Sequence, residues 1–261
     1  MRYAVFAKCF LFLALLAWGV SPPAWGQTQP PDSAFLATTA RQLNQRYEAL
    51  VQDQSQLYNG KEYVDYTRYY RKAEGHQFFE SNKLQPGSVQ YQGHTYPNIP
   101  LLYDIRLDQV ILQQPATSFY LHLVEENVAA FMLGAHRFLR LENQPASPHP
   151  ISTGFYELLL DGPVRVLAKR QKEMKELSDQ KIYYPVFRSI DQLFLQVGNA
   201  YYPVNKLSSV FNALPAQRKE LQKFSRSHKL GFKKATREAH LVQLIGYYNS
   251  LIPAAASPTS P

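Results

Sequence analysis

The chain predicts an α+β fold: one long N-terminal helix, an antiparallel β-meander of about ten strands forming a curved sheet or partly closed barrel, and a C-terminal helical segment. Three observations carry this. Apolar residues recur at helical spacing over residues 33–58, the period changes to two over 63–204, and helical spacing returns over 206–252. Short strands joined by short turns, with no helix between them, mean antiparallel neighbours, because a parallel pair needs a crossover of about a dozen residues or more. The chain then divides into a leader over 1–26, a single α+β domain over 27–252 and a disordered tail over 253–261, where Pro, Ala, Ser and Thr alone occur.

In the first helix, Asp32 or Ser33 caps the start, and Leu36, Ala40, Leu43, Tyr47, Leu50 and Leu57 form one stripe that Asn59-Gly60 ends. Strand formers then group at Val89 and Tyr91, Leu102 to Ile105, Val110 to Leu112, Phe119 to Val124, Val128 to Leu133 and Phe138 to Leu141. The pattern continues at Phe155 to Leu160, Val164 to Ala168, Tyr183 to Phe187, Leu193 to Val197 and Tyr201 to Val204. Asp161-Gly162 and Gly198-Asn199 supply the positive φ angles of tight hairpin turns, and Gln92-Gly93 and Glu126-Asn127 are weaker versions. After Asn205, Leu207, Val210, Phe211 and Leu214 make a short amphipathic helix. Pro215 opens a second helix, which Gly231 ends. A third runs from about Phe232 to Leu251 with Ala235, Ala239, Val242, Ile245, Tyr248 and Ile252 on its buried side.

The leader carries Arg2 and Lys8, an almost unbroken apolar run from Cys9 to Val20, a Ser21-Pro22-Pro23 break and the small residues Ala24 and Gly26. That is the layout of a cleaved signal peptide, and it predicts export to the periplasm or outer membrane, or secretion. Cleavage after Gly26 removes Cys9, the single cysteine, which leaves no disulfide, thiolate metal site or cysteine nucleophile. No later stretch approaches the roughly 20 apolar residues of a membrane helix.

Charge is segregated. Without Arg2 and Lys8 the chain has 26 basic and 20 acidic residues, a net +6. Residues 218–237 hold Arg218, Lys219, Lys223, Arg226, Lys229, Lys233, Lys234 and Arg237 against Glu220 alone, a net +7. The rest therefore sums to −1. Arg218-Lys219 and Lys233-Lys234 fall in the expected first turns of their helices, where cations oppose the macrodipole. The functional reading is an anionic partner: lipid headgroups, a polyanionic glycan or an acidic protein surface. The plainer reading is a solvated helical face. No nucleic-acid-binding motif occurs.

Signals for chemistry are sparse. The seven histidines show no metal-ligand spacing, so no metal is expected. Neither a Gly-x-Ser-x-Gly elbow nor a Gly-rich phosphate loop occurs, and no cofactor is expected. Asp104 and Asp108 bracket an expected turn and suit turn-holding hydrogen bonds more than catalysis, with Arg106 between them. Glu157 lies in a strand and is notable only if it faces inward. No catalytic residue is assigned. Tyr63, Tyr66, Tyr69 and Tyr70 could line a ligand groove, or pack a sheet edge against the first helix.

Leu57-Tyr58-Asn59-Gly60-Lys61-Glu62-Tyr63, Gly75-His76-Gln77-Phe78-Phe79, Gly87-Ser88-Val89-Gln90-Tyr91-Gln92-Gly93, Ile99-Pro100-Leu101-Leu102-Tyr103-Asp104 and Gly154-Phe155-Tyr156-Glu157 resemble segments of a group of uncharacterised exported proteins from the Bacteroidota. The resemblance spans most of residues 57–252. It implies a shared fold and a Gram-negative envelope setting, and it carries no functional residue with it. The leading expectation is a non-enzymatic exported envelope protein, a binding or scaffold module with a basic helical face for an anionic partner. The alternatives are a periplasmic carrier of a small apolar ligand and a hydrolase using Asp104 or Glu157.

Overall fold

The computed structural model describes residues 38–39, 41–43, 56–115, 117–145 and 149–252. The chain divides into two compact units, 1–49 and 50–261. In the first, 38–39 and 41–43 are helical, and Leu43 is 61% exposed. In the second, 56–57 are helical and Leu57 is fully buried. The remainder of the helix expected over 33–58 lies outside the described residues, as do the leader and the 253–261 tail.

The second unit is built on an eleven-stranded antiparallel sheet. Its strands are β1 (Lys61–Glu62), β2 (Gln85–Tyr91), β3 (His94–Asp104), β4 (Gln109–Gln113), β5 (Tyr120–His122), β6 (Val128–Leu133), β7 (His136–Leu141), β8 (Gly154–Leu160) and β9 (Val164–Lys169). After a separate hairpin of β10 (Lys172–Asp179) and β11 (Ile182–Ser189), it is completed by β12 (Gln192–Val197) and β13 (Ala200–Pro203). The spatial order is β1-β5-β4-β3-β2-β6-β7-β8-β9-β12-β13.

Hairpin chemistry holds at three of the four expected joints. Gln92 and Gly93 both take positive φ (50° and 82°), the signature of a two-residue turn whose twist matches the strands. Gly198 does so at 58°, and Gly162 lies at 150° in a loop lengthened by Pro163. Glu126-Asn127 is different. Glu125–Asn127 form a 3-10 turn, and the strands on either side do not pair with each other. The reason is that β5 has its other edge taken by β1, so the chain returns to the free edge of β2. Asn127 O accepts from Gln92 N at 2.9 Å, which fastens this return to the β2–β3 turn. The sheet is therefore not a pure meander.

Its shape follows from a distance. β3 and β8 are four strand spacings apart, about 19 Å on a flat sheet. The rings of Tyr103 on β3 and Phe155 on β8 are 6.0 Å apart. The sheet must curl until these strands face each other. Register shifts at Gly87/Val89, Gln90/Tyr91 and Leu158/Leu160 supply local bends. The curl is not a closed barrel: β1 and β13 end the sheet and do not pair with each other.

The concave side is a packed core. Tyr103, Phe131, Phe138 and Phe155 form a cluster of edge-to-face and stacked rings, walled by Val89, Tyr91, Leu101, Leu112, Leu121 and Leu133. Further along, Val164, Val166, Ala168, Leu193 and Leu195 meet three helices: α1 (Leu207–Ala213), α2 (Arg218–Ser227) and α3 (Arg237–Leu251). The opposite face there is covered too, by Ile151 over Tyr156, Leu167, Phe194 and Tyr201. Burial on both faces explains why β9 reads as a nearly continuous apolar run.

Helix boundaries differ from expectation at two points. α2 stops at Ser227, four residues before Gly231. Lys229 takes the left-handed conformation (φ 52°), Leu230 N donates to Ser225 O at 2.9 Å and Lys229 N to Arg226 O at 3.2 Å. This is the terminating motif that usually employs glycine. α3 begins at Arg237, not Phe232, because 234–236 form a turn in which Lys233 O accepts from Thr236 N and Arg237 N. Its buried residues are Leu241, Leu244 and Ile245, while Ala235 and Ala239 are exposed. Lys233-Lys234 thus precede the helix instead of opposing its first turn, whereas Arg218-Lys219 do stand at the start of α2.

Candidate functional site

The basic residues collect on the outer side of α2 and the segment leading into α3. Lys219, Lys223 and Arg226 recur at i, i+4 and i+7, one helical face, opposite the inward Leu221 and Ser225. Phe224 stacks on Tyr247 of α3, with centroids 4.0 Å apart, and fixes the two helices together. Arg218 precedes this face, Lys229 sits in the helix-terminating motif, Lys233 and Lys234 lie in the following turn and Arg237 opens α3. The first seven are exposed and Arg237 is half-buried. Among the described residues none of the eight lies in an ion pair.

The four tyrosines are dispersed in role. Tyr63 is buried and lines a cleft of about 140 Å³ with Phe78, Leu102 and Tyr120. Its hydroxyl donates to Asp104 Oδ2 at 2.8 Å and accepts from Gln77 Nε2 at 3.2 Å. Tyr66 sits under the Arg106 guanidinium, 5.0 Å from its ring centre. Tyr69 is 73% exposed, and Tyr70 donates to Glu176 on β10. Burial raises the hydroxyl pKa of both Tyr63 and Tyr66, with the nearby Asp104 carboxylate adding to it.

Asp104 is fully buried. Besides the Tyr63 hydroxyl, it accepts from Arg106 N at 2.9 Å and Leu107 N at 3.0 Å through Oδ1. It closes the β3–β4 turn, and burial pushes its pKa up against the pull of those donors. Asp108 joins that turn to the far side of the curl. It accepts from Tyr103 OH at 2.5 Å, Lys169 Nζ at 2.6 Å and Phe155 N at 3.2 Å. Gly154 is required beside it, since a Cβ there would lie 2.0 Å from Asp108 Oδ2 and 2.4 Å from Lys169 Nζ.

Glu157 faces inward and is 3% exposed. Its strand neighbours are Phe138, from the aromatic core, and Ala168, from the helix-covered core, so it marks the seam between them. His136 Nδ1 lies 2.5 Å from Oε1, and Arg170 Nε donates to Oε2 at 2.5 Å. Arg170 also donates from Nη1 to Asp191 (3.1 Å) and Glu238 (2.8 Å), and from Nη2 to Glu238 (3.0 Å). Burial pulls the guanidinium pKa down, but Glu238 and Glu157 outweigh it and hold the charge. Arg170, Asp191, Glu238 and His136 carry no local sequence signal. They converge only because β7, β8, the end of β9, the β11–β12 link and the first turn of α3 meet.

Among the described residues no cluster of His, Cys, Asp and Glu could hold a metal ion, and no helix is long and apolar enough to cross a membrane. Comparisons with protein families, with curated proteins and with solved structures found no match.

Proposed function

We propose that this is an exported, non-enzymatic binding protein that docks on an anionic lipid surface through α2 and the segment leading into α3. The supporting observation is the eight cations within residues 218–237 that have no carboxylate partner among the described residues. A folded protein gains nothing internally from grouping them, and Arg218-Lys219 at the start of α2 work against the helix dipole. Near an anionic bilayer each contributes about 1 kcal/mol of attraction. In this reading residues 1–26 are removed on export, and the kinship is with the exported Bacteroidota proteins.

The other two expectations draw less support. A carrier would need room on the concave side, where the rings of Tyr103, Phe131, Phe138 and Phe155 are in contact. A hydrolase using Asp104 or Glu157 would act through carboxylates that are buried and bonded into the fold by both oxygens.

The test is co-sedimentation with phosphatidylcholine vesicles, with and without phosphatidylglycerol, over a salt series. Binding should require the anionic lipid and weaken steeply as salt rises. Equal binding to both compositions, or retention on a sulfated glycan but not on vesicles, would sink the proposal.

A further inference from the structure

The eight cations are not equivalent. Lys234 and Arg237 line a cleft of about 300 Å³ between the start of α3 and the end of the β10–β11 hairpin. Arg170, Asp191 and Glu238 line it too, and Ile190, 47% exposed, offers an apolar wall. The acids of this cleft are already satisfied. Asp191 accepts from Arg170 Nη1 and from Gln171 N, each at 3.1 Å, and Glu238 takes the two Arg170 nitrogens. Lys234 and Arg237 have no carboxylate within ion-pair distance among the described residues. The charged residues lining the cleft sum to +1, and Lys234 and Arg237 are its two cations without an ion-pair partner among the described residues.

We infer that this cleft binds a single phosphate group, with Lys234 and Arg237 as its donors. Arg237 can offer two parallel N–H bonds to phosphate oxygens, and Lys234 a point charge. Arg170 is held by three carboxylates and acts as a positioning residue: its guanidinium engages Asp191 and Glu238 at the wall of the cleft. Ile190 would lie against whatever organic group the phosphate carries. The inference rests on the surface-docking reading and deepens it. The remaining cations attract the anionic surface at a distance, and this cleft seats one headgroup of it. The same chemistry would accept free phosphate, and the experiment separates the two sources.

Two double variants of the full chain remove equal charge: Lys234→Ala with Arg237→Ala in the cleft, and Lys219→Ala with Lys223→Ala on α2. Each is measured by co-sedimentation with phosphatidylglycerol-containing vesicles, and unchanged melting checks its fold. The α2 pair should weaken binding by about 25-fold, the loss of two diffuse surface charges. The cleft pair should weaken it on the order of 250-fold, because specific hydrogen bonds go as well. Arg237→Lys, which keeps the charge and loses the fork, should also weaken binding, a change that diffuse attraction would not produce. Inorganic phosphate is then titrated into the unmodified protein while amide resonances of residues 190 and 237 are followed. Shifts at millimolar phosphate support the site with free phosphate as sufficient ligand. A greater loss for the cleft pair without such shifts supports it with the lipid headgroup as ligand. Equal losses for the two pairs overturn the cleft and leave the surface reading standing, whereas no preference of the unmodified protein for anionic vesicles overturns both.

Discussion

Asp104 has no exposed surface, and every hydrogen bond it accepts serves the fold: two from the turn that follows and one from Tyr63. Burial holds its pKa above the ordinary carboxylate value. An acid raised in this way takes up its proton more readily folded than unfolded. The stabilisation it lends is therefore greatest at low pH and is lost as pH rises through the folded pKa. Asp104→Asn keeps an acceptor for the two backbone N–H groups and cannot ionise. Its stability relative to the parent should climb as pH rises from the ordinary carboxylate value through the raised folded pKa and level off above it, as read by urea unfolding at several pH values. A gap that stays constant would contradict this. The turn role of Asp104 was legible from sequence, because an Asp before a polar turn residue is a local signal. That Glu157 faces inward was not, since its partners His136 and Arg170 are 21 and 13 residues away along the chain.

At the level of elements, legibility follows burial. Strands with one or both faces covered, such as β6, β8, β9 and β12, stood out by period or by apolar run. β10 did not, because Lys172–Asp179 is exposed over almost all its length and has no face to pattern. The basic cluster was legible for the opposite reason: eight cations fall within twenty residues of chain, which needs no tertiary information. The end of α2 was misplaced because Lys229, not Gly231, takes the terminating left-handed position. Lys229 takes the left-handed position at a steric cost that glycine does not bear. Lys229→Gly should accordingly stabilise the protein by about 0.5–1 kcal/mol, read as a rise in melting temperature. A fall would mean that the lysine side chain contributes more than its backbone strain.

For the whole molecule, the Glu157–Arg170–Glu238 chain joins sheet to helix at the seam of two cores. Removing the guanidinium strands a buried carboxylate, so Arg170→Met should cost about 3–5 kcal/mol in chemical denaturation. Adding Glu157→Leu should recover most of it, because the loss lies in the unpaired charge and not in the pair itself. Additive losses would refute that view. The curl has a kinetic meaning as well. Tyr103 meets Phe155, and Asp108 meets Lys169, across 52 and 61 positions of chain. During synthesis, β2 to β5 emerge first yet cannot bury their inner faces until β8 and β9 follow. Such distant pairings make for slow, all-or-none folding. The early strands therefore wait, loosely held, for the later half of the polypeptide.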